Sequence, residues 1–504
     1  MFRLTRPLFL LLILLGTDQA AAQPSLFIPA DDPVYSDIQR AIYRGFLTDL
    51  NPTARPWTYS EVLDALPKDV AGDPLLERIR DGVSRFAASK GAGYTGRAGL
   101  RMTSNGRLET DRVLAGDDWL YPYLESGLHW IDGPVIARAA FRFDTYWDVD
   151  PDGLDSVLRA YMRNDQSYVG YSAERGSVHL GRIATRWGSR SALIVSDNPR
   201  SYDALHLRLG SRKLSFRSII GELDSITGDG RFTGTAGDDS VASGSERRWM
   251  AAHRFDWRPR KGLQISIQEA VLFSGAGTGP SLKYLNPTQF LILAVDNRPK
   301  NDENNGMVAA AVWAQTGPWT IESQLLFDDF DLLMGDEEAS FAASLDLTRV
   351  FRPDLLAFAR TEIVASRTYN TFQPEGRWTY LQRGIATQFS DYVVGEVGAS
   401  WELPGRGLRL DPYALLVLQG ERDLRDPYRF DDTFETILVG VVERTLRTAA
   451  RIRYDQPNLG YVALDAGLNF VNNEGHMENA SRTVPVATLE VGLRWSISGS
   501  RTRR

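Results

Sequence analysis

The feature of this sequence that most constrains its fold is an alternation of apolar and polar residues with a period of two. One example runs over residues 319–328, where Trp, Ile, Leu and Phe side chains alternate with Thr, Glu and Gln. The same pattern recurs along residues 135–144, 341–348, 461–470 and 488–495. Because successive side chains of a strand point to opposite faces, each segment predicts a β-strand with one apolar and one polar face.

The number and length of these segments favour a membrane barrel. From about Tyr94 onward we count roughly 16 to 20 segments of about 9 to 12 residues, the length that crosses a bilayer at a tilt. Soluble strands are shorter, about five or six residues. The segment ends carry aromatic residues, as the interfacial girdles of outer-membrane barrels do; examples are Trp130, Trp257, Trp378, Trp401 and Trp495. The sequence therefore predicts an all-β transmembrane fold, a large antiparallel outer-membrane β-barrel of about 18 strands.

The connections between the segments are of two kinds. Some are short, such as residues 258–262, and others are long and polar, such as residues 228–245. This alternation is typical of periplasmic turns and extracellular loops. The alternative fold is a secreted soluble β-protein, which would stay in solution without detergent.

The first 22 residues carry the pattern of an export signal. Arg3 and Arg6 precede a short apolar core, and small residues at 20–22 predict cleavage near Gln23. An apolar core of about eight residues is too short to span the ~30 Å of a bilayer as a helix. We therefore expect a signal peptide over residues 1–22 and a mature protein in the cell outer membrane.

Residues 23–91 predict a small periplasmic helical region ahead of a barrel over residues 92–504. Thr58 and Glu61 have the spacing of a capping box, and Asp73 precedes a proline at a first helical position. We expect these short helices to pack together or to plug the barrel. The region also looks faintly like half of an S-layer-homology module, which would imply contact with cell-wall polymer.

Composition and missing motifs exclude several function classes. With 57 Lys and Arg against 64 Asp and Glu, the net charge of −7 argues against nucleic-acid binding. The absence of cysteine excludes disulfides, thiol nucleophiles and cysteine-ligated metal sites, and only five histidines are present. Neither Gly-x-Ser-x-Gly nor a phosphate-binding loop motif occurs. We therefore predict no enzyme activity, no cofactor and no metal.

The most specific motifs lie between residues 176 and 287. A segment ending in Trp187 and Gly188 is followed by Ser-Ala-Leu-Ile-Val-Ser-Asp-Asn-Pro-Arg at residues 191–200, and a second block includes Leu-Lys-Tyr-Leu-Asn-Pro at residues 282–287. Over about residues 33–330 the chain resembles the capsule assembly Wzi family of outer-membrane proteins. The resemblance implies an 18-stranded barrel with a periplasmic helical bundle. It also implies a lectin that binds capsular polysaccharide without an enzymatic step.

These motifs supply six candidate residues for polysaccharide binding. They are Trp187, Asp197, Asn198, Arg200, Tyr284 and Asn286. An indole ring can stack on a sugar, while Asp, Asn and Arg can hydrogen-bond hydroxyls or pair with uronates. The alternative, which we favour, is structural, because Asp-Asn-Pro forms turns and Trp anchors strand ends. Tyr284 and Asn286 would likewise belong to a loop folded back into the barrel.

Acidic residues supply further candidates. Glu269 interrupts an apolar face, so we expect it to point inward or to mark a β-bulge. Acidic residues at 327–331 and 336–338 fit glycosidase or calcium chemistry only at separations that the sequence does not give. We favour a solvated loop or a lumen lining for that cluster.

The leading hypothesis is a barrel that binds, anchors or helps to assemble capsular polysaccharide or exopolysaccharide at the cell surface. Its partners would be that polysaccharide and outer-membrane lipid, and a monomer is favoured. The alternative is a porin-like solute channel of the outer membrane, with Arg138, Arg142 and Asp144 lining a water-filled lumen.

Overall fold

The computed structural model describes most of the mature chain. The described residues are 24–87, 90–105, 108–110, 119–148, 162–227, 245–275, 278–280, 282–286, 289–291, 304–328, 340–371, 374–403, 407–424, 435–456 and 459–498. The predicted signal peptide and the acidic residues at 329–331 and 336–338 lie outside this set.

Three helices form a small unit that we call the N-terminal unit (residues 24–87). They are α1 (Val34–Tyr43), α2 (Tyr59–Ala65) and α3 (Pro74–Ala87). The predicted capping box is present at the start of α2, where Thr58 accepts from the Glu61 N–H and the Glu61 carboxylate accepts from the Thr58 N–H. Apolar side chains of all three helices share one buried cluster, including Ile38, Val62 and Ile79. The expected helical region is confirmed.

Eighteen long strands within the described residues form a closed antiparallel barrel, which confirms the predicted fold. In chain order they are β1 (Gly91–Thr103), β2 (Leu120–Asp132), β3 (Val135–Asp144), β4 (Ser167–Ala173), β5 (Gly176–Arg182), β6 (Asp203–Gly210), β7 (Leu214–Glu222), β8 (Ser245–Arg260), β9 (Leu263–Gly275), β10 (Asn304–Thr316), β11 (Trp319–Phe327), β12 (Phe341–Arg352), β13 (Leu355–Val364), β14 (Tyr392–Leu403), β15 (Leu408–Gln419), β16 (Glu443–Gln456), β17 (Gly460–Asn472) and β18 (Ser481–Ser498). Each strand pairs with its neighbours in sequence, and β1 pairs with β18 to close the wall.

Smaller elements accompany the wall. Within the described residues, a further helix, α4, covers Leu282–Leu285, and single turns of 3-10 helix cover Thr145–Asp148, Pro374–Gly376 and Glu474–His476. Met162–Asn164 and Ile226–Thr227 extend the barrel sheet beside β3 and β8. Two-residue ladders join Ala54–Arg55 to Arg186–Trp187, and Thr379–Tyr380 to Arg383–Gly384. Within the described residues, no helix has the length and apolar character needed to cross a membrane.

The two faces of the wall follow the predicted alternation. On β2, Leu124 and Leu128 are exposed on the outer face, while Glu125 between them is buried inside. On β3, the inward positions include Arg138 and Asp144, as the alternation predicted. An apolar outer surface and a charged interior are the pattern that lipid imposes on a barrel.

The aromatic girdle is confirmed only in part. Trp130, Trp257, Trp401 and Trp495 are exposed on the outer face, as expected. The assignment of Trp378 to the girdle was wrong, because this residue is fully buried inside the barrel. Its indole N–H donates to the carbonyl of Ile194 at 2.8 Å, so the ring lies against another part of the lumen rather than lipid.

The two ends of the barrel differ in their connections. Turns of a few residues join β2 to β3, β4 to β5, β6 to β7 and β8 to β9, and we call this the short-turn end. The opposite, long-loop end carries the longer connections. In outer-membrane barrels the short turns face the periplasm.

The N-terminal unit lies in the lumen at the short-turn end. Arg254 on β8 donates to the Thr53 carbonyl at 3.0 Å, and Asn51 donates to Asp256 at 2.9 Å. Gln264 on β9 donates to the Thr53 hydroxyl at 2.8 Å. Arg254, Asp256, Gln264 and Thr53 are buried, so these hydrogen bonds are shielded from water. The expectation that the helices plug something larger agrees with this packing.

The closing seam of the wall is held by two consecutive residues of the N-terminal unit. Arg97 on β1 and Arg494 on β18 stand opposite each other in the ladder. Asp31 is 2.6 Å from the Arg97 guanidinium and Asp32 is 3.3 Å from the Arg494 guanidinium. Burial raises the pKa of Asp31, but Arg97 and Arg142 outweigh burial and hold that pKa well below its ordinary value.

Glu269 corrects a prediction made from its broken pattern. It neither points inward nor marks a bulge, because the β9 register is continuous through it and its side chain shares the outer face with exposed Ile267. Its carboxylate lies 3.1 Å from His253 and accepts from the Leu291 N–H at 2.8 Å. An acidic residue is tolerated on this apolar face because a covering segment and a neighbouring imidazole satisfy its oxygens.

Candidate functional site

The first sequence motif forms a segment that turns into the barrel. Residues 183–202, between β5 and β6, lie in the lumen, and we call them the first inner segment. Trp187 stands opposite Ala54 of the N-terminal unit in a two-residue ladder, and its N–H donates to the Val195 carbonyl at 2.8 Å. The run Leu193–Val195 is fully buried. The segment is therefore part of the interior rather than an external loop.

Gly188 permits the tight turn that this segment makes after Trp187. Its φ is +151°, and a Cβ at this position would lie 1.7 Å from the Ser191 carbonyl oxygen. No other residue fits so close to that backbone atom. The glycine of the sequence motif thus has a steric reason.

A second inner segment, residues 365–371 and 374–391 between β13 and β14, packs on the first. The Tyr369 hydroxyl donates to the Leu193 carbonyl at 2.6 Å, and the Ser196 N–H donates to the Ile385 carbonyl at 2.8 Å. Trp378 supplies the indole contact to Ile194 described above. Together the two inner segments form the apolar body that fills the middle of the lumen.

The four candidate residues on the first inner segment lie close together. Asp197 and Asn198 bind other residues of the protein. Trp187 is 1% exposed. Asp197 is 2.5 Å from the Arg186 guanidinium, and the Asn198 amide donates to Gly384 and Gln388 at 2.9 and 2.6 Å. Arg200 is half-buried at the end of the motif. These contacts suit the structural role favoured for the motif.

The other two candidates lie on the opposite side of the wall. The Tyr284 ring stacks on Phe273 with centroids 4.1 Å apart, and Phe273 is on the outer face of β9. Tyr284 is 1% exposed, whereas Asn286 is exposed. The prediction of a loop folded back into the barrel was therefore wrong. The outer face here carries apolar Ile220 and Val271, which attract the aromatic ring from outside.

We call residues 282–286 and 289–291 the outer segment. It covers the outer face of β7, β8 and β9 toward the long-loop end, where lipid would otherwise contact the barrel. Leu291, at the end of this segment, is fully buried against the wall and belongs to the same cluster as Tyr284. The structure thus brings four of the six candidates together and separates them from the other two by the barrel wall.

A cavity of about 250 Å³ lies beside the first inner segment. Its lining includes Asn198, together with Arg186, Arg190, Arg360 and Glu362. Guanidinium and amide donors beside a carboxylate can hydrogen-bond the hydroxyls and acidic groups of a sugar. The Arg360 guanidinium is 3.1 Å from Glu362, so this pair is fixed before any ligand arrives.

Sequence reasoning missed four of these lining residues. Arg360 and Glu362 occupy the inward positions of β13, where the alternation marks them only as polar. Arg186 and Arg190 flank Trp187 and Gly188 within the motif itself. Their proximity to β13 depends on the barrel closing around the inner segment, which no local pattern reports.

A larger cavity of about 610 Å³ lies at the short-turn end, between the N-terminal unit and the inner faces of β5 to β7. Its lining includes Glu61, which contacts Arg208 on β6. Burial raises the pKa of Glu61, but Arg208 and the Thr58 N–H lower it to about 2. Within the part of the chain that the structure describes, no group of three or more His, Asp or Glu residues is arranged to hold a metal ion.

Comparison with known proteins gives a strong structural match. The Escherichia coli protein Wzi, an outer-membrane protein involved in group 1 capsule assembly and a carbohydrate-binding β-barrel, superposes with a TM-score of 0.60. The two sequences are 10% identical, and the match covers 95% of this chain and 100% of Wzi. This likeness agrees with the fold described above.

Two further solved structures match less well. Pseudomonas aeruginosa OccK3 (OpdO) has a TM-score of 0.44 at 9% identity and covers 81% of this chain and 95% of its own. Acinetobacter baumannii OccAB4 has a TM-score of 0.45 at 9% identity and covers 81% and 99%. No curated protein matches the chain in sequence.

A sequence-family comparison addresses the motifs directly. Residues 128–330 match the family model of the capsule assembly protein Wzi. This range contains the first inner segment and the outer segment, and hence all six candidate residues. The resemblance to the capsule assembly Wzi family that the motifs predicted is thereby confirmed.

Proposed function

We propose that this chain is a non-enzymatic outer-membrane barrel that binds, anchors or helps to assemble capsular polysaccharide or exopolysaccharide at the cell surface. The observation that carries the proposal is the match to the capsule assembly Wzi family across the segment that fills the lumen. A barrel with a filled lumen keeps a rigid surface on which long-loop residues can hold a polymer. A polymer can then make many weak contacts, which add up through multivalency.

The cavity of about 250 Å³ supports a sugar-binding role for the lumen near the first inner segment. Arg190 stacks on Phe358 at 4.0 Å, which leaves its guanidinium edge able to donate hydrogen bonds. Asn198 and Arg186 join it from the predicted motif. In this proposal, buried Trp187 and ion-paired Asp197 support the cavity rather than touch the sugar. Arg200 and the exposed Asn286 remain proposed contacts.

Retention of polysaccharide in cells tests the proposal. Deletion of the gene should release capsule or exopolysaccharide into the medium, and the wild-type chain should restore retention. The Arg190→Gln and Arg360→Gln double variant should restore it only in part. Arg352→Gln is the matched control, since Arg352 is exposed at the short-turn end. Unchanged retention after deletion would contradict the proposal.

A glycan array probed with the detergent-purified protein would identify the sugar. We expect binding to one or a few acidic or hydroxyl-rich polymers, weakened in the double variant and preserved in Arg352→Gln. Absence of binding to the polysaccharide of the source cell would contradict direct recognition.

The porin-like alternative makes the opposite prediction for conductance. The N-terminal unit and the inner segments occupy the lumen among the described residues, and Arg138 is buried rather than water-exposed. Reconstituted protein in a planar bilayer should therefore show no large stable conductance steps. Such steps would favour the channel over the polysaccharide-binding function.

A further inference from the structure

The cavity of about 610 Å³ lies at the end of the barrel opposite the long loops. Its volume is that of ordinary small-molecule sites, which range over about 300–1,000 Å³. It is bounded by the N-terminal unit on one side and by the inner faces of β5, β6 and β7 on the other. It is therefore separate from the cavity of about 250 Å³ that we propose for sugar binding.

A row of three arginines crosses the wall at this cavity. Arg217 on β7 stands opposite Arg208 on β6 and opposite Arg254 on β8, and all three point inward. Like charges at directly opposite positions repel each other, so such a row requires anions beside it.

Two of the three arginines have their anion within the protein. Arg208 contacts Glu61, and Arg254 is 2.8 Å from Asp256. The middle one, half-buried Arg217, is attracted by Glu61 and Asp256 but makes no hydrogen bond or ion pair with any residue that the structure describes, and its buried Nε has no acceptor. A desolvated guanidinium without a carboxylate is costly unless a ligand supplies one.

The rest of the lining is also cationic on balance. Six Arg and Lys side chains line the cavity against four Asp and Glu side chains. Next to the arginine row, His179 and His206 stand opposite each other, and the buried Nε2 of His206 has no partner among the described residues. Phe27, Trp57 and Trp187 supply aromatic walls. Donors, uncompensated positive charge and aromatic surface are what an acidic sugar or a sugar phosphate would require.

We propose that this cavity binds a monosaccharide-sized anion whose carboxylate or phosphate pairs with Arg217. The site opens at the short-turn end, so it receives ligands from the side opposite to the long loops. The inference goes beyond the polysaccharide-binding function, since it concerns another cavity and a small ligand.

Calorimetric titration of the full-length detergent-solubilised protein tests the site. The probes are D-glucuronate, inorganic phosphate and neutral D-glucose. We expect saturable binding of at least one anion and none of glucose. Binding of glucuronate alone would identify a carboxylate ligand, and binding of phosphate alone a phosphorylated one. Saturable binding of neither anion would overturn the proposal.

Variants assign any binding to the arginine. Arg217→Gln should lower the affinity for the anion at least about tenfold, as expected for loss of a charge-assisted hydrogen bond. Arg217→Lys keeps the charge and should retain most of the affinity. Arg260→Gln is the control, because Arg260 is exposed at the same end and does not line the cavity. Unchanged affinity in a folded Arg217→Gln protein would overturn the proposal.

The fold of each variant is checked by thermal unfolding before titration. If Arg217→Gln fails to fold, Arg217→Met replaces it, because Met also removes the charge and should weaken anion binding to the same extent. Unchanged affinity in a folded Arg217→Met protein, or loss of anion binding in Arg260→Gln, would overturn the proposal. These measurements use small anions, so they are independent of polysaccharide retention in cells.

Discussion

The first inner segment and the outer segment leave the same end of the barrel and fold back onto opposite sides of its wall. Trp187 of the inner segment is enclosed by protein, while Tyr284 of the outer segment lies on the face that lipid would cover. Both segments carry an aromatic residue and an Asn that precedes a proline in the sequence. Their direction is therefore decided by the wall that receives them rather than by their own composition.

The two sides also satisfy polar groups differently. Inside, backbone carbonyls such as those of Leu193 and Ile194 find side-chain donors on the second inner segment. Outside, Glu269 accepts from the Leu291 N–H and lies 3.1 Å from His253. The inner segment is thus enclosed by protein, whereas the outer segment covers a face that lipid or detergent can also cover, which predicts unequal effects of mutation.

The largest effect is expected for Trp187→Ala. Removing a fully buried indole leaves a cavity in the lumen core, and we expect a loss of about 3–5 kcal/mol of unfolding free energy. Thermal or denaturant unfolding in detergent measures it. Trp130→Ala, at an exposed girdle position, is the control and should change stability far less. Equal losses would show that the inner segment is not a core element.

Gly188→Val comes next. The new Cβ would meet the Ser191 carbonyl, so the turn must open or the segment must shift, at a cost of about 3 kcal/mol. The same unfolding measurement applies. Gly279→Ala is the control because a Cβ there meets nothing within 4 Å. A fully stable Gly188→Val protein would contradict the turn described above.

Tyr284→Ala should have a smaller effect. It removes a stacked ring, worth about 0.5–1.5 kcal/mol beyond area burial, and lipid or detergent can cover the exposed Phe273. We expect faster protease cleavage of the outer segment with nearly unchanged barrel melting. The exposed Asn286→Ala serves as control. A loss as large as that of Trp187→Ala would remove the distinction between the two segments.

The smallest effect is expected for the change of stability on acidification. The folded pKa of Glu61 is about 2, below its ordinary value of 4.5, so its contribution to stability is complete above pH 4.5 and is lost as the pH falls toward 2. The melting temperature of the wild type should fall over this range more steeply than that of Glu61→Gln. Parallel curves of melting temperature against pH would mean that the ion pair between Glu61 and Arg208 does not stabilise the packing of the N-terminal unit in the lumen.

The sequence was sufficient for the wall but not for what folds against it. Alternation predicted which way Arg138 and Asp144 point, and the capping box at Thr58 predicted a helix start. Trp378 was misassigned because a tryptophan near a strand end looks the same whether it faces lipid or the lumen. Glu269 was misread because its partner Leu291 lies 22 residues away, beyond any periodic pattern.

The candidate site shows the same limit. The motif from Trp187 to Arg200 was found in the sequence, whereas Arg190 and Arg360 come together only when distant strands enclose the segment. The row formed by Arg208, Arg217 and Arg254 likewise depends on register across three strands. Such juxtapositions require the closed barrel and cannot be read from local spacing.

The grip of Asp31 and Asp32 on the two seam strands has a consequence for biogenesis. Without Asp31 and Asp32, Arg97 would keep its ion pair with Glu125 on β2 but lose Asp31, and Arg494, which stands opposite it, would lose Asp32. We therefore expect pairing of β18 with β1 to be most favourable when the N-terminal unit is already in the lumen. The N-terminal unit, which is synthesised before the strands, then acts as the template on which β18 closes the barrel.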